Sequence, residues 1–425
     1  MYIGLFLILV LLLSIGIVNT NKCYCGFVLL QVLSFFLQFL VGRDCEYDTN
    51  TTLFNMLFVN INIFLLLWPW RKISIQRIRP GKRHDIYLQN FRKYLYPLLF
   101  LLFFVNLGIL VIIYTFMPDI AHLKADNGYK ELYEQIPYFA SFFRIAGSTC
   151  TFGFIAIPLF FYYLLKNNKK EAYKALFLSS STLVYGFAFY SRALILSYFL
   201  AFVFYFFIIE KSLSGYWQRK INSLTKKTGM VIVIGFLIIT VVRFSAMDYY
   251  GDRIPANSII KDPVVYSLFD YASQGYNNGI NCLEGYQEKN CLNGEYFFSQ
   301  VYQALSFFGF ISWDYDGFEE RAAKAFSGNF GLFNGYVAST VCDFGYLGTL
   351  LIDILFCVII NRLLYKKKEI SLQNLIYILI FVTVMINSIF YNFLFPFIYP
   401  LCFLWMLNVM TIIENGLLKR TNIIK

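Results

Sequence analysis

Charged side chains are scarce in this sequence. Asp, Glu, Lys and Arg make up 14% of the 425 residues, whereas hydrophobic residues make up 58% and aromatic residues 20%. The mean hydropathy is +0.58. Soluble globular domains carry about 25% charged residues, and no soluble core could bury this much apolar surface. The composition therefore excludes a soluble protein and indicates an integral membrane protein.

Histidine is almost absent, and the nine cysteines lack the spacing of a metal site. His84 lies in a basic cluster and His122 in a segment of mixed polarity. Asp314 and Asp316 are close in sequence, but no His accompanies them, so a metal site is not indicated. A Gly-rich phosphate loop and a nucleic-acid-binding module are also lacking. We therefore expect neither a cofactor nor a nucleic-acid partner.

Long apolar runs recur along the chain. A membrane-spanning helix needs roughly 20 mostly apolar residues, and a β-barrel would instead show short alternating segments. The pattern predicts an all-α polytopic membrane protein with about 11 transmembrane helices. The first run lacks the basic start and cleavage site of a signal peptide, so we expect a retained helix. The predicted spans are 2–19, 26–41, 53–70, 94–116, 138–165, 173–190, 193–209, 229–246, 337–361, 371–389 and 394–413.

Basic residues predict the orientation. The clusters at 71–93, 166–174, 211–227, 362–368 and 419–425 all fall on one side of an eleven-span arrangement. Because Lys and Arg in short loops stay cytoplasmic, this side is predicted to be the cytoplasm. The N-terminus is then outside and the C-terminus inside. This topology explains the net charge of +11, with a contribution from attraction to anionic lipid headgroups, and the charge need not indicate nucleic acid.

The same arrangement divides the chain into three parts. Residues 1–246 contain the first eight spans, and 337–425 contain the last three spans and a cytoplasmic tail. Between them, 247–336 form one large extracytoplasmic loop. A second outer segment, 117–139, mixes apolar and charged residues at helical spacing and is predicted to lie along the membrane surface.

The large loop interleaves aromatic and polar residues in the stretches DYYGDR, FDYASQGYNNG and SWDYDGFEER. Aromatic rings stack on sugar faces, and amides and carboxylates bind hydroxyls, so Tyr276 and Asn277 are candidate sugar-binding residues. The alternative is a polar loop whose aromatics lie at the lipid interface. Cys282 and Cys291 bracket a polar turn that a disulfide could close, with Cys45 as a competing partner.

One late segment resembles a known family. The sequence NGYVASTVCDFGYLGTLLIDILF from Asn334 is similar to the Asn-x-Tyr and Asp-Phe-Gly-x-x-Gly segments of bacterial oligosaccharide repeat-unit polymerases, the Wzy-like O-antigen polymerases. YSRALIL at 190–196 resembles the Ser-Arg pair of that family at an outer turn, and the likeness extends loosely over 90–415. The tandem Arg-x10-Gly pattern of some members is absent. The matching residues of the late segment are Asn334, Tyr336, Asp343, Phe344, Gly345 and Gly348.

The resemblance implies a glycosyltransferase of the bacterial inner membrane, with a C-type fold shared by ligases and polymerases. Such an enzyme joins oligosaccharide repeat units carried on polyprenyl diphosphate at the outer face of the membrane. Its expected partners are the lipid-linked oligosaccharide, membrane lipids, a flippase and a chain-length regulator.

The chemistry requires groups that stabilise the diphosphate and deprotonate an acceptor hydroxyl. Arginine binds phosphate oxygens bidentately and stays charged, and Arg192 is the first candidate because an Arg between apolar helices is costly. The alternative for Arg192 is a structural Arg at the interface. Further candidates in the same role, each with a salt bridge or lipid headgroup contact as the alternative, are Arg243, Arg253 and Arg321.

Asp343 is the candidate general base, because the resemblance singles it out and a buried carboxylate can accept a proton. Its structural alternative is a helix N-cap. Asn334 and Tyr336 are expected to contact substrate. Two other functions stay open: an O-antigen ligase-like transferase, although the large loop has no His as those ligases do, and a transporter, although internal repeats are lacking.

Overall fold

The structure is a computed structural model that describes residues 2–42, 49–73, 75, 77–78, 82–116, 146–189, 191–245, 254–328, 333–364, 369–390 and 397–423. Several predictions fall outside these residues: the surface segment 117–139, Cys45 and Arg253. The side chain of Arg243 is also outside the description.

The described residues are overwhelmingly helical. A parallel pairing of two short strands, β1 (Arg77–Ile78) and β2 (Glu369–Ile370), is also present. The helices are α1 (Tyr2–Val18), α2 (Lys22–Leu40), α3 (Thr49–Leu67), α4 (Lys82–Phe116), α5 (Ala156–Leu165), α6 (Lys169–Ser179), α7 (Ser181–Ala188), α8 (Arg192–Ile209), α9 (Gly215–Ser245), α10 (Pro263–Glu284), α11 (Ser299–Phe307), α12 (Tyr315–Ala325), α13 (Gly335–Leu364), α14 (Leu372–Asn387) and α15 (Ile398–Ile423).

Seven helical segments of the described chain are long and apolar enough to cross a membrane. The predicted class, an all-α membrane protein, is thereby confirmed. The predicted count of eleven spans is not confirmed. Shorter apolar helices cover Ile8–Val18 and Leu372–Asn387. The seven segments are Lys22–Leu40, Leu53–Arg71, Ile86–Phe116, Ala146–Leu165, Arg192–Ser212, Gly335–Leu364 and Ile398–Gly416.

The predicted span 173–190 is broken into two helices at Ser180. The Ser180 hydroxyl donates to the Phe177 carbonyl at 2.6 Å, and the Ser179 hydroxyl donates to the Leu176 carbonyl at 2.7 Å. Serine hydroxyls that bond carbonyls of the preceding turn compete with the helical ladder and bend it. The run of serines therefore ends α6 and starts α7.

The chain forms two compact units. Unit 1 comprises Met1–Ser74, Thr240–Lys367 and Phe381–Phe395, and unit 2 comprises Ile75–Ile239, Lys368–Ile380 and Pro396–Lys425. The predicted boundaries at 246 and 336 do not coincide with this division. Residues of the predicted outer loop belong to unit 1 together with α1, α2, α3 and α13.

Helix α10 joins the predicted loop to the rest of unit 1, because it packs against α2, α3 and α13. Two glycines allow the close approach. A methyl group at Gly275 would collide with the Ile389 carbonyl, and one at Gly279 would lie 2.6 Å from the Asn334 carbonyl. Small residues four apart on a helix let another backbone pack directly on it. The loop is therefore built into the helical core of unit 1.

Unit 2 is organised around α4, which packs against α6, α7 and α15, while α5 packs against α6. Its interior is rich in aromatic side chains that are almost fully buried. Polar contacts join the helices at a few places. The Asn106 side chain, for example, donates to the Ser181 carbonyl at 3.1 Å, which satisfies a backbone group at the start of α7.

Candidate functional site

The Asp-Phe-Gly segment lies where helix α13 is broken. Gly345 has φ +66° and ψ −179°, a backbone conformation inside the helix that is essentially restricted to glycine. The break follows Asp343 by two residues. Asp343 thus lies inside α13, well after its first residue, and the alternative that it caps this helix is wrong.

Asp343 is 1% exposed and binds the backbone of a neighbouring loop. The Tyr296 N–H donates to its Oδ1 at 2.8 Å, and the Phe297 N–H donates to its Oδ2. A carboxylate that accepts backbone N–H groups fixes the chain that carries them. The Asp343 side chain therefore positions the loop between α10 and α11.

The same loop carries Glu295, whose side chain is 12% exposed. Arg321 donates to Glu295 through both Nε, at 3.1 Å, and Nη2, and the Trp313 indole donates through Nε1 at 2.6 Å. This hydrogen bonding to Glu295 raises the pKa of Arg321 above its ordinary value. The predicted salt-bridge alternative for Arg321 is confirmed.

Aromatic rings pack beside Trp313, the indole that binds Glu295. The Phe318 ring lies 5.9 Å from the Trp313 ring and 5.8 Å from the Tyr296 ring, centroid to centroid. A further pair is formed by Phe297 and Phe344, 5.8 Å apart. A carboxylate, a guanidinium and an indole among aromatic rings are the groups that a sugar-binding site uses.

The other predicted sugar-binding residues are buried within unit 1. These are Tyr276, Asn277, Asn334 and Tyr336. They do not form an exposed surface, because α10 packs onto the start of α13, and their role in substrate binding stays a prediction. The Tyr276 hydroxyl donates to Asn60 Oδ1 at 2.7 Å. Tyr276, Asn334 and Tyr336 border a cavity of about 20 Å³, which has room for about one water molecule.

A carboxylate that sequence analysis missed lies deeper in α13. Asp353 is fully buried, and its Oδ1 accepts the Tyr336 hydroxyl at 2.7 Å. Its Oδ2 has no hydrogen-bond partner among the described residues. An ionisable residue in a membrane-spanning helix is costly and marks a functional position by default. The sequence clue was a single Asp in the apolar run LLIDILF.

The predicted disulfide between Cys282 and Cys291 is wrong, because both are free thiols. The Cys282 thiol donates to Asn334 Oδ1 at 3.3 Å, and the Cys291 thiol donates to the Asp343 carbonyl at 3.0 Å. Each sulfur therefore has its own polar contact on or beside α13.

Arg192 belongs to unit 2, where it is the first residue of α8. It follows the short turn after α7, so the predicted place between two helices is confirmed. Its side chain is 5% exposed and already has a partner in the structure. A helix N-terminus favours anions, and a guanidinium there strengthens that preference.

Comparisons with known proteins identify no relative. No protein-family model matches the chain, and no curated protein and no solved structure matches it.

Proposed function

We propose that the protein is a polymerase of lipid-linked oligosaccharide repeat units at the outer face of the bacterial inner membrane. The observation that carries this proposal is the role of the Asp-Phe-Gly segment. The break at Gly345 and the Asp343 carboxylate hold the loop that bears Glu295, and this carboxylate is paired with Arg321 and Trp313. The residues of the family resemblance thus support a polar and aromatic cluster suited to sugars.

The proposed reaction moves the growing chain from one polyprenyl diphosphate to the next lipid-linked unit. The bond between the anomeric carbon and the diphosphate oxygen breaks, and a bond from that carbon to an acceptor hydroxyl oxygen forms. The acceptor proton goes to a carboxylate, and the diphosphate leaves with the electron pair. Asp343 is 1% exposed and both its oxygens hold backbone N–H groups, so we assign positioning to it. The Glu295 side chain is 12% exposed and pairs with the half-exposed Arg321, so it is the more accessible carboxylate, and we assign proton acceptance to it.

Arg192, which belongs to unit 2, is proposed separately as a contact for a polyprenyl diphosphate. It is buried at the N-terminus of an apolar helix, where a bidentate cation and the helix dipole both favour an anion. Lysine offers a point charge without the planar fork. Arg192→Lys is therefore expected to lose polymer synthesis while the protein still inserts in the membrane.

The test is the surface polysaccharide of a strain that lacks this protein. A polymerase deletion should leave single repeat units, and the wild-type chain should restore long polymer. Glu295→Gln should fail to restore it, whereas Asp314→Asn, which changes an exposed carboxylate in the same part of the chain, should succeed. For Arg192→Lys the matched control is the exposed Arg219→Lys.

Other outcomes would overturn the proposal. Lipid-linked long polymer that is no longer attached to its final acceptor would indicate a ligase. Accumulation of repeat units on the cytoplasmic side would indicate a transporter. Wild-type polymer from both Glu295→Gln and Arg192→Ala would remove the assigned residues even if the deletion leaves single units.

A further inference from the structure

A groove of about 610 Å³ lies between α4 and α6 in unit 2. This volume is typical of a site for a small ligand. The groove belongs to neither Arg192 nor the residues discussed for unit 1. The side chains that matter for the argument are Arg92, Lys93, Tyr96, Phe100, Lys174 and Leu178.

The two helices run parallel along the groove, as three successive contacts show. Arg92 Nη2 lies 3.1 Å from Glu171 Oε1, and Lys174 Nζ lies 5.2 Å from the Tyr96 ring centroid. Further along, the Phe103 and Phe177 rings are 4.7 Å apart. Residues with higher numbers on both helices therefore lie at the same end. The groove has a basic end and an apolar end.

The basic end carries more positive than negative charge. Arg92 is paired with Glu171, and the Glu171 carboxylate would repel an anion bound next to Arg92. Lys93 and Lys174 instead lie over tyrosine rings, at 5.1 Å from Tyr94 and 5.2 Å from Tyr96. No carboxylate of the described chain forms an ion pair with either lysine. These two ammonium groups remain available to a negatively charged ligand.

The apolar end opens on a surface that suits hydrocarbon. Phe100 and Leu178 line the groove, and α4 belongs to the membrane-spanning segment Ile86–Phe116. Phe100 is 53% exposed, and neighbouring apolar side chains of the same helix, such as Phe104, are also exposed. Apolar residues exposed on a membrane-spanning helix contact lipid chains.

We propose that this groove binds one anionic glycerophospholipid of the surrounding bilayer. The phosphate contacts Lys93 and Lys174, and the first part of an acyl chain lies along the exposed Phe100 and Phe104. The positive charge of the basic end favours an anionic ligand. The apolar end continues into the lipid-facing surface, so the ligand is expected to enter from the bilayer. Basic pockets between helices on the cytoplasmic side bind anionic headgroups for this reason.

The test is native mass spectrometry of the purified full chain titrated with phosphatidylglycerol or with phosphatidylcholine of the same acyl chains. The anionic lipid should bind more tightly. The double variant Lys93→Gln/Lys174→Gln should bind phosphatidylglycerol about 30-fold more weakly, from the attraction typical of two cations near a membrane. The matched control is Lys226→Gln/Lys227→Gln, which removes the same charge at exposed positions outside the groove.

A second arm tests the apolar end on the unmodified protein. Dihexanoyl phosphatidylglycerol should bind more weakly than the long-chain lipid, because it covers less of the exposed apolar surface at Phe100 and Phe104. This comparison does not depend on any variant folding.

Several results would overturn the proposal. They are equal binding of the two headgroups, equal loss in the control variant, equal binding of short and long chains, and full displacement by millimolar inorganic phosphate. Preference for polyprenyl phosphate over phosphatidylglycerol would show that the ligand is the sugar carrier and not a bilayer phospholipid.

Discussion

Carboxylates organise much of the polar structure in unit 1. Asp343 accepts two backbone N–H groups, Glu295 binds a guanidinium and an indole, and Asp353 accepts a tyrosine hydroxyl. Each is largely buried, so each group that binds it also compensates the cost of removing it from water. Replacing a single acceptor atom of one of these carboxylates should therefore change the stability of the protein measurably.

Asp343→Asn is predicted to destabilise the protein. Asparagine supplies one acceptor oxygen where two N–H groups need partners, so either Tyr296 or Phe297 loses its hydrogen bond. A buried donor without a partner costs about 1–3 kcal/mol. The measurement is thermal unfolding of the purified protein in detergent.

The control for this variant is Asp314→Asn. Asp314 is an exposed N-cap that accepts the Gly317 N–H at 2.6 Å, and asparagine caps a helix about as well as aspartate. We expect its unfolding midpoint to stay near that of the wild type. Equal midpoints for both variants and the wild type would show that Asp343 does not fix the loop.

Helix breaks are the informative features at the scale of single elements. The break between α6 and α7 arises from serine hydroxyls that bond the preceding turn. The break in α13 arises from the Gly345 backbone. The second break separates residues 335–344, which include Asp343, from residues 346–364 of the same membrane-spanning segment.

Gly345→Ala is predicted to destabilise α13. The added methyl meets only the Tyr286 hydroxyl oxygen, at 3.5 Å, so the cost comes from the backbone angle and not from a collision. A residue with a Cβ in this region costs about 1–3 kcal/mol. Thermal unfolding should show a lower midpoint.

The matched control is Gly108→Ala in α4, where the added methyl meets no described residue within 4 Å apart from the backbone of its own helix. Alanine at a helical position with a compatible backbone is neutral or stabilising by about 1 kcal/mol. If Gly345→Ala is as stable as Gly108→Ala, the break in α13 does not require glycine.

Orientation in the membrane is a property of the whole molecule. The basic clusters predict that the loop containing Lys289 is outside and that Lys220 is cytoplasmic. Both side chains are exposed, so a cysteine at either position should react wherever a reagent can reach it. A membrane-impermeant maleimide applied to intact cells should label Lys289→Cys and miss Lys220→Cys.

This labelling is done in a Cys402→Ser background, because Cys402 is an exposed native thiol. Permeabilised cells provide the control, since Lys220→Cys should then react as well. Labelling of Lys220→Cys in intact cells would reverse the predicted orientation and remove the assignment of the loop to the outer face.

The apolar runs by themselves determined that this protein is helical and membrane-embedded, because backbone groups in lipid must be hydrogen-bonded within their own segment. The resemblance singled out the Asp-Phe-Gly segment, but it did not predict that α13 breaks at Gly345. The partners of Asp343 are 46 and 47 residues away, and Arg321 is 26 residues from Glu295. No local pattern specifies contacts over such separations.

Tertiary packing also decided which polar residues are accessible. Tyr276 and Tyr336 have the residue types of a sugar-binding surface, yet both are buried. The reason is the close approach at Gly275, which lets the backbone at Ile389 pack directly on α10. Periodicity places a side chain on a face of a helix, but the packing of that face against another element decides whether it contacts a ligand or the protein's own interior.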